Sequence, residues 1–373
     1  MTDVADAFDW GLLEPAAAAG HVVSDDRILN AMVDVENAYL AAWSELLGVE
    51  SAAVLETDLV DRAALLEAGR SAGVPVVGLV QALRQQGGDL VHEGMTSQDV
   101  LDTALMIASR DALTAAREAL AASGHRLARL AADFRATPAM ARTLTQEAEP
   151  TTLGVVTSVW LDVVTSTIER LDAVRFPLQL GGAVGTGEAF VRLSGNADAA
   201  DELRRKLSST LGLTDAKRSW HTDRSPVLAV ASAAAQVCVA GGRIGRDLAL
   251  LAREEVATPL HGGGSSAMPH KQNPVDAVLL TANGLRSGGP LATLHAAALS
   301  YDARPAGEWH AEWQAWREIL RLAAESADLL EHAIGDLVIH PAAPGAARPD
   351  VEAARIVEAA IERFSSVAER SGS

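Results

Sequence analysis

From Gln98 to Ala136 the chain runs without a proline and with a single glycine, Gly124. Leu101, Leu105, Ala108, Ala112, Ala115 and Ala119 recur three or four positions apart, laying a stripe of small apolar side chains along one face of a helix. A rod of roughly 30 helical residues spans about 45 Å. It cannot bury such a stripe against itself and has to bury it against other rods. Small residues permit close approach, so this stretch demands a bundle of long helices, packed within one chain or between subunits.

The rest of the chain agrees with an all-α reading. Residues 25–47 form a first helix capped by Ser24, and residues 51–90 form shorter helices broken by Gly73, Pro75, Gly87 and Gly88. Pro138 and Pro150 bracket a loop, and a second long helix follows over Thr151–Val174. A Gly-rich connection (178–189) leads to an amphipathic helix at 197–212. A third long helix has Ser225 as cap and Pro226 at its first position, with a pattern that can continue to Ala257. Within it, Gly241, Gly242 and Gly245 either loosen the helix or admit a close neighbour. Residues 261–274 are the least helical stretch, followed by helices near 275–299 and 306–335, a Pro/Gly/Ala linker (341–348) and a terminal helix at 350–369. The expected division is an N-terminal helical domain (1–95), a central long-helix domain (96–335) and a short C-terminal segment (336–373).

Charge narrows the function. Thirty-one Lys and Arg face 49 Asp and Glu, a formal net charge of -18, so the chain offers no general basic field for nucleic acid or an anionic membrane. The start, MTDVADAFDW, lacks the basic and apolar regions of a signal peptide, and no run of strongly apolar residues suggests a membrane span, which points to the cytoplasm. The single cysteine, Cys238, sits in an apolar helical run and reads as a buried small hydrophobe. No zinc, EF-hand, P-loop or Rossmann pattern occurs, so neither metal nor cofactor is expected. Lysine occurs only at positions 206, 217 and 271, which makes Lys271, inside a Gly/Ser/Pro loop, conspicuous.

That loop reads Gly264-Ser265-Ser266-Ala267-Met268-Pro269-His270-Lys271-Gln272-Asn273-Pro274. It offers hydroxyls, a cation positioned between prolines and a neutral amide donor, which suit a reaction that builds charge on a carboxylate. The plain alternative is a flexible connection between two helices. A second block, His92-Glu93-Gly94-Met95-Thr96-Ser97-Gln98-Asp99, places hydroxyls at the start of the long helix. There the first N–H groups make a natural carboxylate site, or merely a capped helix. A third, Arg142-Thr143-Leu144-Thr145-Gln146-Glu147, carries polar groups suited to anion contact. Trp220-His221-Thr222-Asp223-Arg224 and Arg304-Pro305-Ala306-Gly307-Glu308-Trp309-His310-Ala311-Glu312-Trp313 hold three of the seven tryptophans. Trp309 and Trp313, four apart, most simply pack in a core, whereas Arg304 at the helix entrance is suited to meet an anion.

These strings resemble the fumarase/aspartase superfamily. The Gly264–Pro274 string matches its G-S-S-x-M-P-x-K-x-N-P signature without a mismatch, and the second block resembles its H-x-G-x-T-S-Q-D segment. W-H-T-x-R, R-x-x-G-x-W-H-A-E-W and the stretch around Gln179, Gly181 and Gly182 resemble the muconate cycloisomerase branch. Many relatives carry His where Leu144 stands, and that branch lacks it too, which argues against a fumarase, adenylosuccinate lyase or argininosuccinate lyase. The resemblance spans residues 20–340; members continue into a further C-terminal helical domain, where this chain has the linker and one helix.

The resemblance implies a long-helix bundle with a shortened C-terminal domain, a homotetramer whose sites are each built by three chains, and a small polycarboxylate substrate. The activity implied is closure of a carboxylated cis,cis-muconate to a muconolactone. Ser265 would handle the carbon-bound proton, with Lys271 and Asn273 stabilising the charged intermediate. Binding would fall to His92, Thr96, Ser97, Gln98, Arg142, Thr143, Gln146, His221, Ser266, Met268 and Arg304. The cations Lys271, Arg304 and Arg142, with His221, would gather around the substrate. Arg27 reads as structural. The same-fold alternative is a C–N or C–O lyase such as an adenylosuccinate lyase; a non-catalytic relative is the alternative of another class.

Overall fold

The computed structural model describes residues 22–49, 53–254, 257–259, 263–264, 268, 270–335, 337–340 and 351–369. Twelve α-helices and three two-stranded ribbons are present among them. The first helix, α1 (Asp25–Leu47), starts where the Ser24 hydroxyl accepts the Arg27 N–H at 3.2 Å, and ends at Gly48 in the left-handed conformation. Next come α2 (Arg62–Ala72), capped by the Asp61 carboxylate, and α3 (Pro75–Gly87), which begins on its proline. The long helix α4 (Ser97–Asp133) has 37 residues. Then come β1 (Pro138–Thr143), β2 (Gln146–Thr152), α5 (Leu153–Asp172), α6 (Glu188–Ser194), α7 (Ala199–Leu211) and α8 (Ser225–Arg253). The strands β3 (Ala257–Pro259), β4 (Gly263–Gly264) and β5 (Gln272–Asn273) precede α9 (Val275–Arg286), α10 (Gly288–Ala297) and α11 (Glu308–Gly335). A last strand, β6 (Leu337–Ile339), pairs with β3, and α12 (Val351–Ala368) ends the described chain.

The chain divides into two compact units, with boundaries inside α4, α8, α10 and α11. Unit 1 holds residues 1–112, 175–231 and 292–317; unit 2 holds residues 113–174, 232–291 and 318–373. In unit 1, Tyr39, Trp43 and Phe190 form an aromatic cluster with ring centroids 6.0–6.2 Å apart. In unit 2, α12 packs on α5, where Arg363 bonds Asp162, Ser166 and Glu169. Phe364 fills the space that a side chain at Gly124 would occupy.

The glycines of α8 resolve the choice between looseness and close packing. A Cβ at Gly245 would lie 2.7 Å from the Ala277 carbonyl oxygen, and one at Gly242 would lie 3.1 Å from Gly284 Cα. They therefore let α8 and α9 touch backbone to backbone. By hydropathy α8 matches the length of a membrane span, but 67% of its most apolar window is buried, as in the core helix of a bundle.

Three expectations are corrected. The third long helix, α8, stops at Arg253, and Ala257 opens strand β3 instead of continuing the helix. The segment bracketed by Pro138 and Pro150 is an antiparallel ribbon, closed between Thr143 and Gln146 by Leu144 (φ 49°) and Thr145 (φ 70°). Two central residues with positive φ match the twist of a hairpin, a role usually taken by Asn-Gly. The Gly-rich connection also contains the start of α6, set between Gly187 and Gly195, both left-handed.

Candidate active site

Unit 1 brings together the second block, the Gly-rich turn, the W-H-T-x-R string and the entrance of α11. At the start of α4, buried Thr96 receives Arg304 Nη2 on its Oγ1 at 2.5 Å; Arg304 also donates to the Ala183 carbonyl at 3.3 Å. Ser97 is half-buried beside it. A guanidinium and the N-terminal end of a long helix are thus brought together, which suits a carboxylate.

Behind this seat, Asp99 is fully buried and accepts five hydrogen bonds. The donors are the backbone N–H of Thr96 (3.1 Å), Gly181 (2.9 Å) and Gly182 (2.9 Å), Gln179 Nε2 (3.2 Å) and His221 Nε2 (2.8 Å). One carboxylate therefore ties the helix start to the Gly-rich turn and to His221. The other ring nitrogen of His221, Nδ1, is buried with no hydrogen-bond partner among the described residues. Gln98 is also fully buried; its Nε2 is taken by Asp102 Oδ2 (3.2 Å) and the His221 carbonyl (2.9 Å).

One turn along α4, Asp102 anchors a buried ion network. Arg224 Nη1 reaches its Oδ2 at 2.7 Å, and Trp309 Nε1 reaches its Oδ1 at 2.9 Å. Arg224 also forks onto Glu312, Nε to Oε1 at 2.9 Å and Nη2 to Oε2 at 2.5 Å, and stacks on Trp220 at 5.1 Å. Burial works against the Arg224 charge, but Asp102 and Glu312 outweigh it and hold the guanidinium above its ordinary pKa. Burial, helped by the nearby Asp102 charge, pushes Glu312 up to about 7 against the opposing pull of Arg224.

His92, with φ 62°, bonds through Nδ1 to the fully buried Glu36 at 2.6 Å. Arg27 pairs with Asp111, a structural contact.

Unit 2 holds the other named positions. Arg142 pairs with Glu254 at 2.8 Å and Glu147 at 3.6 Å, so its charge is already met by acids. Thr143 and Gln146 are exposed at the ribbon's end, and Leu144 at its tip is 95% exposed. Asn273 pairs with Gly263 and Gln272 with Gly264, and of the residues between β4 and β5, Met268 and Lys271 are exposed. The Lys271 N–H bonds the Met268 carbonyl at 3.0 Å. Ser265 and Ser266 lie outside the described residues. Among the described residues, no group of three or more His, Cys, Asp or Glu is placed to hold a metal ion.

Asp99, Asp102, Arg224, Glu312 and Glu36 were not singled out from the sequence. A usable signal existed for two of them: Arg224 and Glu312 sit at the ends of the W-H-T-x-R and W-H-A-E strings, and the structure joins them.

The long helices and the Gly264–Pro274 sequence are those of an enzyme of the fumarase/aspartase class. The chain belongs to that superfamily: the family model described as Lyase matches residues 29–287. It is 39% identical over 350 residues to a nitrosuccinate lyase of Streptomyces davaonensis, covering 87% of this chain and 74% of that protein. It is 35% identical over 341 residues to a 3-carboxy-cis,cis-muconate cycloisomerase of Pseudomonas aeruginosa, covering 86% of this chain and 72% of that one. Among solved structures it resembles the 3-carboxy-cis,cis-muconate lactonizing enzyme of Pseudomonas putida, with a TM-score of 0.76 at 28% identity, covering 92% of this chain and 77% of that one.

Proposed function

We propose that the protein catalyses addition and elimination at a carbon next to a carboxylate, and that its substrate is 3-carboxy-cis,cis-muconate. The product is a carboxymuconolactone, as in protocatechuate catabolism by the β-ketoadipate route. The observation that carries this reading is the seat made by Thr96, the α4 N-terminus and Arg304, which suits one carboxylate of a polyanion.

In ring closure, a carboxylate oxygen adds to a double bond conjugated with a second carboxylate. The π electrons move onto that second carboxylate, which gains charge, and the carbon beside it then takes a proton. Ser265 delivers this proton, and Lys271 and Asn273 stabilise the electron-rich intermediate. The alkoxide left on Ser265 is stabilised by Lys271 and by N–H groups of the loop. Thr96, Ser97, Gln146 and Arg304 hold carboxylates so that the attacking oxygen stays near its target carbon. The protein works as a homotetramer in which three chains supply each site.

A second reading is favoured by the 39% identity to a nitrosuccinate lyase. Here Ser265, as alkoxide, removes the proton next to one carboxylate, and nitrite leaves from the neighbouring carbon. Leu144, at the exposed ribbon tip, argues against an adenylosuccinate lyase.

A direct assay separates the readings. 3-Carboxy-cis,cis-muconate is followed by loss of diene absorbance, nitrosuccinate by nitrite release, and fumarate and adenylosuccinate serve as controls. Turnover of carboxymuconate that Ser265→Ala abolishes is the expected result. Nitrite release without diene loss selects the second reading, and inertness of the wild type toward all four sinks both.

A further inference from the structure

Glu36 stands in the middle of α1 with no exposed surface, yet stability gives no account of it. Among the described residues its carboxylate has one hydrogen-bond partner, His92 Nδ1 at 2.6 Å, and its Oε2 is buried with none. A buried carboxylate left half-satisfied is costly, and such expense is commonly met at working sites. Tyr39, three residues on, does not relieve it. Its O–H is given to the Glu93 carbonyl, and burial together with the nearby Glu36, Glu93 and Asp99 charges pushes the phenol's pKa far above its ordinary value.

The loop on the other side of the contact is held with unusual care. Glu36, Tyr39 and Trp43 lie on one face of α1 and bind consecutive loop residues, Glu36 taking His92, and Tyr39 and Trp43 taking Glu93. His92 itself sits in the left-handed region at φ 62°, uncommon outside glycine, so the surrounding contacts fix its backbone as well as its ring. The side chain keeps 14% exposure, and Nε2 makes no hydrogen bond among the described residues. Four positions later in the chain comes Thr96, the seat already described.

We propose that Glu36 is a positioning residue for the active site, fixing His92 with a proton on Nδ1 and leaving Nε2 as the one ring atom that acts on the bound polycarboxylate. This rests on the placement of His92 in the substrate site under the proposed function. An ionised carboxylate can only accept hydrogen bonds, so Nδ1 keeps its proton whether the ring is neutral or charged. Nε2 is thereby the ring atom left for a ligand. The ring accepts a hydrogen bond there when neutral and donates one to a carboxylate when charged. Without Glu36 either nitrogen can hold the single proton of the neutral ring, and part of the population presents the wrong face.

The test uses the full-length protein labelled with 15N-histidine, with the His92 signals assigned by their loss in His92→Gln. In the wild type, the neutral ring is expected to carry its proton on Nδ1 alone. In Glu36→Gln the neutral ring is expected to become a mixture of tautomers. With whichever of the two proposed substrates is turned over, kcat/KM of Glu36→Gln should fall by about 10- to 100-fold. His92→Gln should fall at least as far, and the double variant no further, since both substitutions disable one unit. Wild-type His92 protonated at Nε2 in its neutral form overturns the proposal, and this measurement stands even if Glu36→Gln fails to fold. So does a folded Glu36→Gln protein with an unchanged tautomer or kcat/KM within about twofold of the wild type. If the wild type turns over neither substrate, the functional reading fails, while the tautomer measurement still decides what Glu36 does.

Discussion

Arg304 Nη2 lies 2.5 Å from Thr96 Oγ1, joining residues 208 positions apart at the mouth of a 37-residue helix. The hydroxyl orients the guanidinium, and the helix end adds partial positive charge beside it. Arg304→Ala is therefore expected to act mainly on binding. KM should rise by about 10- to 100-fold, as expected for loss of hydrogen bonds to a charged group, with kcat much less affected. Arg304→Lys should recover little, because an ammonium does not reproduce the planar fork. Steady-state kinetics on the active substrate decide this; an unchanged KM removes Arg304 from the carboxylate seat.

Asp99 gathers five donors from three separate segments. Replacement by Ala strands buried N–H groups at Thr96, Gly181 and Gly182 together. The expected loss of stability is about 2–4 kcal/mol, with faster hydrogen exchange in the 179–187 turn. Denaturant unfolding together with amide exchange tests this. A variant of wild-type stability would mean that the turn is held by other contacts.

Glu312 gives a signed pH dependence. Its folded pKa of about 7 exceeds the ordinary 4.5, so the folded state binds the proton more tightly than the unfolded state does. This contribution is fully present below pH 4.5 and is lost as pH rises toward and through 7. Stability should therefore carry a component that falls across this window, on the order of 1–3 kcal/mol. Glu312→Gln, which cannot titrate, should show a flatter profile between these pH values. Parallel profiles for the two proteins would remove Glu312 as the source.

Gly245 tests the contact of α8 with α9. Its added Cβ would meet the Ala277 carbonyl oxygen at 2.7 Å and Leu280 Cβ at 2.8 Å, both held by α9. Gly245→Ala should cost about 1–3 kcal/mol despite the better helix propensity of alanine. Gly288→Ala, where nothing lies within 4 Å, should be neutral or stabilise by up to about 1 kcal/mol. Thermal unfolding of the two variants side by side reads the difference.

How far the sequence could be read depends on the range over which each feature is determined. Helix α1 was legible to the residue because Ser24 and Gly48 mark its ends chemically. The α4 stripe is local too, and the equally local Gly264–Pro274 string carried the superfamily resemblance. The β1–β2 ribbon was missed because its strands are largely exposed and lack alternating apolar residues, and because Leu144-Thr145 takes a turn without the glycine or asparagine that announces one. The buried acids were missed for another reason. An aspartate on a helix reads as a solvated face until its partner is known, and Arg224 is 122 positions from Asp102. Local pattern cannot disclose such a pair.

The indole placements have a practical consequence. Trp309 Nε1 bonds the Asp102 carboxylate, Trp220 lies under the Arg224 guanidinium, Trp316 bonds Ser109 and Trp43 bonds Glu93. Four native fluorophores thus sit against the acids, the cation and the hydroxyl that shape this unit. Their ultraviolet emission supplies a label-free optical gauge, so disturbance of the polar interior can be followed in real time without attaching a dye.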